Sequence, residues 1–436
     1  MLDQLNIPAS RSDMTRGQRI WDDLRPLRET ASLSLVRAKL VTESYKETEG
    51  KPVYLRRAAA YENIISNLPI HIDKEQLLCG DFASEPMGFE WWPELYSRWV
   101  IEAIDNGWFT YKVNEEEYDT IKDICDYWKD RESKQMFLNY LEPEFKKKLD
   151  TMNEKGSLCF FAETEASLEK GWHVPNYEKV IQKGLTGILA EIDAELDGLK
   201  ILDNDSYRKA NLLRGLKQAL TAAIRFAKRY AVLAADMAKN EQNPSRKAEL
   251  EKMADVMGWI MENPARDFYD AVQTMFFTHI CIFYDVRCSG MSFGRVDQYL
   301  YPYYEKDIES GKITRELARD LIECLRVKCS SMRQFDSKTT VLKHDDETRI
   351  NDCRSGETQF HNCTIGGQLE MGVDATNDLS FLWLEAAMNV RTAHPTLTIR
   401  WHPALDRDFM MAAAKLNRLG LGFPAWYNDL TTIPYL

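Results

Sequence analysis

The sequence predicts an α/β fold, a barrel or a layered sheet clothed in helices, and three observations carry that expectation. The first is the last quarter of the chain, where short β-branched or apolar runs alternate with amphipathic helices. Phe360–Gln368 is followed by a helix from about Asn377 to Val390. Thr396–Trp401 is followed by a helix from about Asp406 to Leu419, then by the glycine- and aromatic-rich Gly420–Asp429. Strand, helix, strand, helix is the order that builds parallel sheets, with chemistry at the strand ends. The second observation is an almost continuous helical half from Asn176 to about Ile282. The third is size: 436 residues, 44% hydrophobic and 28% charged, suffice for a large core.

Charge and cysteine usage narrow the function classes. A net charge of −12 and an isoelectric point near 5.3 argue against nucleic acid or an anionic membrane as the main partner. No apolar run approaches a membrane span, and Met1-Leu2-Asp3-Gln4 lacks the layout of a secretory signal, so a cytoplasmic location is expected. The nine cysteines form no Cys-x-x-Cys pair and no metal-ligand spacing with the seven histidines. Reduced, buried thiols and no metal are the expectation.

In chain order, residues 1–30 read as a docked arm anchored by Trp21 and Leu24. Helices follow over about Ser32–Thr48 and Pro52–Leu68, then a turn at Pro69–Ile72 and a short strand at Leu77–Asp81. Met87–Trp99 holds Trp91-Trp92-Pro93, which reads either as a core loop or as an aromatic lining or interface anchor. Residues 115–150 carry charge runs on solvated helices. Helices are expected over about 176–199, 205–240, 245–261 and 266–282. Between Asp285 and Gln298, Gly290 and Gly294 suggest a loop whose backbone approaches a ligand closely. A helix over about Thr314–Met332 and a polar surface insertion at Asp336–Glu357 complete the pass.

Three motifs in the last quarter carry a resemblance: Ile365-Gly366-Gly367-Gln368, Gly372-Val373-Asp374-Ala375-Thr376-Asn377-Asp378-Leu379-Ser380, and Gly422-Phe423-Pro424-Ala425-Trp426-Tyr427-Asn428-Asp429. Leu40-Val41-Thr42-Glu43-Ser44-Tyr45 and Pro264-Ala265-Arg266-Asp267-Phe268 extend it toward the N-terminus. Together they resemble the pyruvate formate-lyase-like glycyl radical enzymes. The resemblance implies the N-terminal part of a ten-stranded α/β barrel wrapped by helices, spanning residues 1–436 as one portion of a longer domain and incomplete at its C-terminus. Such enzymes keep a radical on a glycine, installed by an S-adenosylmethionine and iron–sulfur activase, and use it through a cysteine thiyl. The family's Cys-x-Glu loop and Arg-Val-x-Gly segment do not occur in this sequence, so no catalytic residue is expected in this chain.

Within the family, Ser289-Gly290-Met291-Ser292-Phe293-Gly294-Arg295 most resembles the arylacetate decarboxylases, typified by the 4-hydroxyphenylacetate enzyme. That implies Ser289 on a substrate carboxylate and Phe360 against an arene; capping of the loop and plain core packing are the plainer readings of each. Arg295 and Arg400 are candidate carboxylate clamps, although Arg400 also reads as the partner of a buried acid such as Glu385. His361 and His394 read as acid/base groups or as satisfied structural histidines. Asp374 and Asn377 read as helix N-terminal residues.

The resemblance thus implies radical carbon–carbon cleavage, foremost decarboxylation of an arylacetate. Fumarate addition, formate C-acetyltransfer and diol dehydration are alternatives, as is a catalytically inactive partner chain. The implied partners are a small organic acid, the activating enzyme and a second copy of the full-length chain. Open strand edges further predict self-association.

Overall fold

The computed structural model describes residues 8, 10–30, 32–95, 97, 99–105, 113–154, 172–286, 290–333 and 360–435. Its centre is a five-stranded sheet whose neighbours are all parallel. Two short strands, β1 (Leu33–Ser34) and β2 (Phe89–Glu90), pair apart from it. The main sheet runs in chain order through β3 (Trp172–His173), β4 (Gly290–Arg295), β5 (Phe360–Gly366), β6 (Thr396–Trp401) and β7 (Ala425–Asn428). Strands that stay in sequence order, with helices in their connections, progress one way around as in a barrel.

The helices in order are α1 (Arg16–Leu24), α2 (Val36–Glu47), α3 (Val53–Asn67), α4 (Trp99–Asp105), α5 (Glu115–Trp128), α6 (Ser133–Tyr140), α7 (Pro143–Glu154) and α8 (Tyr177–Gly198). After them come α9 (Asn204–Asn240), α10 (Pro244–Trp259), α11 (Phe268–Asp285), α12 (Val296–Tyr299), α13 (Tyr301–Glu309), α14 (Arg315–Ser331), α15 (Asp378–Val390), α16 (Arg407–Asn417) and α17 (Asp429–Tyr435). No helix among the described residues is long and apolar enough to cross a membrane.

Strand alternation separates two faces of the sheet. Met291, Phe293, Cys363, Ile365, Leu397 and Ile399 have no solvent exposure and join the helix-packed core. Ser292, Asn362, Thr364, Thr396 and Thr398, out of phase with them, are half-buried and polar. Helix α11 is apolar nearly all round, and every one of its residues except Ile282 and Asp285 is buried. Such a helix belongs between layers.

The N-terminal arm docks through α1. Thr15 and Gln18 form a capping box, and Ile20 and Leu24 are buried, with Trp21 half-buried against the core. Gly17 permits the approach: its N–H donates to the Glu323 carboxylate at 3.2 Å, and a Cβ there would lie 2.6 Å from Glu323 Cβ.

Three regions differ from the sequence expectation, each for a physical reason. Leu77–Asp81 is not a strand. The Gln273 side chain of α11 satisfies it instead, accepting from Cys79 N at 2.7 Å and donating to Cys79 O at 2.8 Å, while Tyr269 Oη donates to Leu77 O. The segment expected to be a glycine loop contains β4, whose ladder with β5 is interrupted between Ser292 and Arg295. Of the two readings of Trp91-Trp92 the core loop holds: both are buried, with Arg37 stacked 4.4 Å over the Trp92 ring. Helix α8 is kinked at Gly184, whose φ of 63° carries no Cβ; one would meet Glu262 O at 2.5 Å. The insertion expected at Asp336–Glu357 lies outside the described residues.

Gly17→Ala is expected to lift α1 from α14 and α15 and to cost about 1–3 kcal/mol. Urea unfolding checks this, with an unchanged midpoint as the contrary result.

Candidate functional site

The half-buried face of the sheet collects most of the sequence-predicted site residues. Asn362 sits at its centre and donates through Nδ2 to Thr398 Oγ1 at 2.9 Å and Thr396 Oγ1 at 3.1 Å. Ser292, paired with it across the ladder, donates through Oγ to Asn362 O at 3.2 Å. The result is a ladder of hydroxyl and amide groups across β4, β5 and β6. Phe360 opens β5 on the same face and is 38% exposed, with the His394 ring edge-on at 5.9 Å. Ser289 lies outside the described residues; its neighbour Gly290 pairs in register with Phe360.

Arg295 and Arg400 stand at the C-terminal ends of β4 and β6, on this same face. Arg295 is committed to the backbone, donating to Gly366 O at 3.0 Å and Gln368 O at 3.3 Å. Burial, and then the positive charge of Arg400, hold its guanidinium below the ordinary value. Arg400 forms a bidentate pair with Asp429, at 2.8 and 3.0 Å. Its partner is therefore Asp429 and not Glu385, which binds Arg315 and Arg319 at the helical surface. Neither arginine is a free carboxylate clamp: one supports a turn and the other is neutralised.

That turn is held from beneath by the segment Arg295–Gln298. The buried Asp297 carboxylate accepts from Gly366 N at 2.7 Å and from Ser380 Oγ at 2.6 Å, and burial pushes it up to about 6. Gln298 donates to Ala375 O at 2.9 Å, and Asn377, the N-cap of α15, donates to Asp297 O at 2.7 Å. Gly366 and Gly367 have φ of 68° and 82°, and a Cβ at Gly367 would lie 2.9 Å from Arg400 Cβ. Asp374 accepts from Thr376 and from Asp406 N at 2.9 Å, and lies 3.2 Å from His402, so its role is structural, as expected.

His361 points the other way, into the helix-packed side, and is fully buried. Its Nδ1 lies 2.9 Å from His279 Nε2, whose Nδ1 lies 2.7 Å from Tyr177 Oη; His361 Nε2 lies 3.0 Å from Met332 Sδ. Burial disfavours protonation of both rings; with neutral rings and a thioether that only accepts, the chain has one direction: Tyr177 donates to His279, His279 to His361, and His361 to Met332. Burial drives His279 down to about 3 and His361 well below its ordinary value, with His279 and His394 adding to the latter. His361 is structural and takes no part in acid/base work on the open face. His394 is also held low by burial, and lies against the His361 backbone. This buried relay joins residues far apart in sequence, and no local motif announces it.

Of the described cysteines, Cys79, Cys125, Cys281, Cys324, Cys329 and Cys363 are all buried. Burial raises the thiols of Cys79, Cys125, Cys281 and Cys324 to about 12. Cys363 lies beside the Gly366-Gly367 turn in sequence, but faces the helices.

The chain matches the pyruvate formate lyase-like family over residues 12–436. It is 35% identical over 413 residues to an isethionate sulfite-lyase of Oleidesulfovibrio alaskensis, covering 92% of this chain and 48% of that protein. An indoleacetate decarboxylase of Tractidigestivibacter scatoligenes is 26% identical over 418 residues, with 89% and 46% covered. The glycerol-bound B12-independent glycerol dehydratase from Clostridium butyricum superposes with a TM-score of 0.85 at 31% identity, covering 98% of this chain and 52% of that one. The chain thus spans about half the length of the curated relatives it matches.

Two outcomes follow from the geometry. Arg400→Ala strands the buried Asp429 carboxylate and is expected to cost about 3–5 kcal/mol in urea unfolding. Asp429→Ala, which leaves a partly exposed guanidinium, costs less; equal losses would contradict the assignment. The folded pKa values of His279 and His361 are depressed, so the unfolded chain binds more protons below about pH 6.5. Their stabilising contribution is full above that pH and is lost as pH falls toward 3. Imidazole 15N resonances at pH 5 should therefore report two neutral rings, and a protonated ring at either position would contradict the relay.

Proposed function

The chain belongs to the pyruvate formate lyase-like family, and from that premise we propose that it is the substrate-cradling portion of a glycyl radical enzyme that eliminates a group from a small hydroxylated substrate. The observation that carries this reading is the ladder of Ser292, Asn362, Thr396 and Thr398 across the open face. Hydroxyl and amide groups recognise substrate hydroxyls by exchanging donors and acceptors with them. The kinship to a sulfite-lyase and the structural likeness to a glycerol dehydratase agree with elimination chemistry.

In this reading the sheet binds and orients, and radical chemistry is supplied by a glycine and a cysteine that this sequence does not contain. Cys363 is no substitute, because it is fully buried on the helix-packed side of β5. The partners in this reading are the small substrate, the S-adenosylmethionine-dependent activase and a second copy of the full-length chain.

Arylacetate decarboxylation is the second reading. Phe360, exposed on the open face, is the observation in its favour, and the indoleacetate decarboxylase is the relative that accords with it. The hydroxyl ladder beside Phe360 favours elimination, because three adjacent hydroxyl groups match a small hydroxylated substrate better than they match an aromatic ring.

Titration calorimetry of the chain with glycerol, isethionate, indoleacetate and 4-hydroxyphenylacetate separates the two. A hydroxylated ligand is expected to bind, about tenfold more weakly in Asn362→Ala. Binding of the arylacetates alone would transfer the case to decarboxylation, and binding of none would overturn the cradle. After treatment with an activase, electron paramagnetic resonance should show no glycyl radical on this chain; a glycyl signal would contradict the assignment of the radical residue elsewhere.

A further inference from the structure

Away from the sheet, three ligand-type side chains converge beside a buried lysine. His71, Asp73 and Asp81 each bring one donor atom to within 4.8 Å of the others. Lys328 of α14, with no solvent exposure, takes one oxygen of each acid: Asp73 Oδ2 at 2.9 Å and Asp81 Oδ1 at 2.6 Å. The remaining oxygens, Asp73 Oδ1 and Asp81 Oδ2, lie 3.5 and 3.3 Å from His71 Nε2.

Those two separations are close enough for an ion pair, yet neither contact is a hydrogen bond. Asp81 Oδ2 and both ring nitrogens of His71 are buried atoms with no hydrogen-bond partner. The Asp81 side chain itself is only 9% exposed. Buried polar atoms are nearly always satisfied, so three unsatisfied ones in one place call for an occupant.

The geometry names its class. Around a four-coordinate cation with bonds of about 2.0–2.2 Å, neighbouring donor atoms lie roughly 3.3–3.6 Å apart. An imidazole nitrogen and two carboxylate oxygens at 3.3 and 3.5 Å fit those edges. One nitrogen and two oxygens suit a divalent metal of borderline softness better than calcium or magnesium. The charges agree in sign, since two carboxylates against one ammonium leave a net negative site. Lys328 would orient both ligands through their other oxygens, as outer partners do in metal sites. His71, with 20% of its side chain exposed, places the site near the surface.

We propose that His71, Asp73 and Asp81 bind one divalent transition-metal ion of the zinc class, with water completing its coordination. The ion ties Asp81, at the end of the strandless Leu77–Asp81 segment, to His71 and Asp73, while Lys328 of α14 holds both carboxylates from the other side. This site is independent of the substrate face and of the radical chemistry proposed for it.

The test uses the 436-residue chain, stripped with chelator and titrated with zinc by calorimetry, then loaded with cobalt for absorption spectroscopy. One zinc per chain is expected, together with a rise in melting temperature on zinc addition. The cobalt spectrum should show ligand-field bands without thiolate charge transfer, which separates this site from the cysteines. His71→Ala and the nearly isosteric Asp73→Asn should each weaken binding by at least roughly tenfold, with circular dichroism confirming that the fold is kept. No zinc binding, thiolate bands, or binding unchanged in a folded variant would each overturn the proposal.

Discussion

The open face of the sheet depends on one buried carboxylate. Asp297 sits where α12, the end of β5 and the start of α15 meet, and its Oδ2 is shared between the Gly366 N–H and the Ser380 hydroxyl. A buried acid with two such donors pins the backbone of one element to the side chain of another. From that point Arg295 reaches the carbonyls of Gly366 and Gln368, and Gln298 reaches that of Ala375. The turn that ends β5 is therefore set from β4. Arg400 packs over it because Gly367 has no side chain, and meets Asp429 beyond. The polar ladder lies between this bracket and Phe360, so the bracket decides where its groups point.

Behind the sheet the same economy recurs with other chemistry. Many of the polar groups that α11 and α14 bury hydrogen-bond to backbone or to other side chains. Arg326 donates to Thr392 O and Pro395 O, both at 2.9 Å, and so holds the approach to β6. Glu323 ties α14 to the N-terminal arm and to Asn389 at the end of α15. The Tyr177–His279–His361–Met332 relay joins α8, α11, β5 and the end of α14 without placing a charge in the core. The helix-packed side is built for rigidity, with its buried charges hydrogen-bonded or paired and its histidine relay neutral, and recognition is left to the open face.

Much of this was legible in the sequence, for reasons that particular residues show. β5 and β6 announced themselves because Thr364, Thr396 and Thr398 alternate with Cys363, Leu397 and Ile399, a period that only a strand produces. Helix boundaries followed their caps, as Asn377 before α15 and Asp406 before α16 show. The family motifs fall on the bracket and its surroundings, which is why the resemblance located the fold so well. What failed was pairing at a distance. Leu77–Asp81 has the composition of a strand, but its backbone partner is the amide of Gln273, nearly two hundred residues on. Glu385 was the plausible acid for Arg400 from helix position alone, yet α15 turns that side chain to the surface, and Asp429 arrives from α17. Gly290 and Gly294 disguised β4 as a loop. Among the proposed substrate contacts, Phe360 stands on the open face, Arg295 and Arg400 are occupied by backbone and by Asp429, and His361 faces away.

The account rests on the claim that alternation in β5 and β6 divides a recognition face from a structural one. Maleimide labelling of a Thr398→Cys variant, mapped by mass spectrometry, tests this most directly. We predict that the introduced thiol reacts and is protected by a hydroxylated ligand such as glycerol, while Cys363, across the ladder on the opposite face, stays unmodified. Rapid labelling of Cys363 with an inert thiol at position 398 would contradict the account.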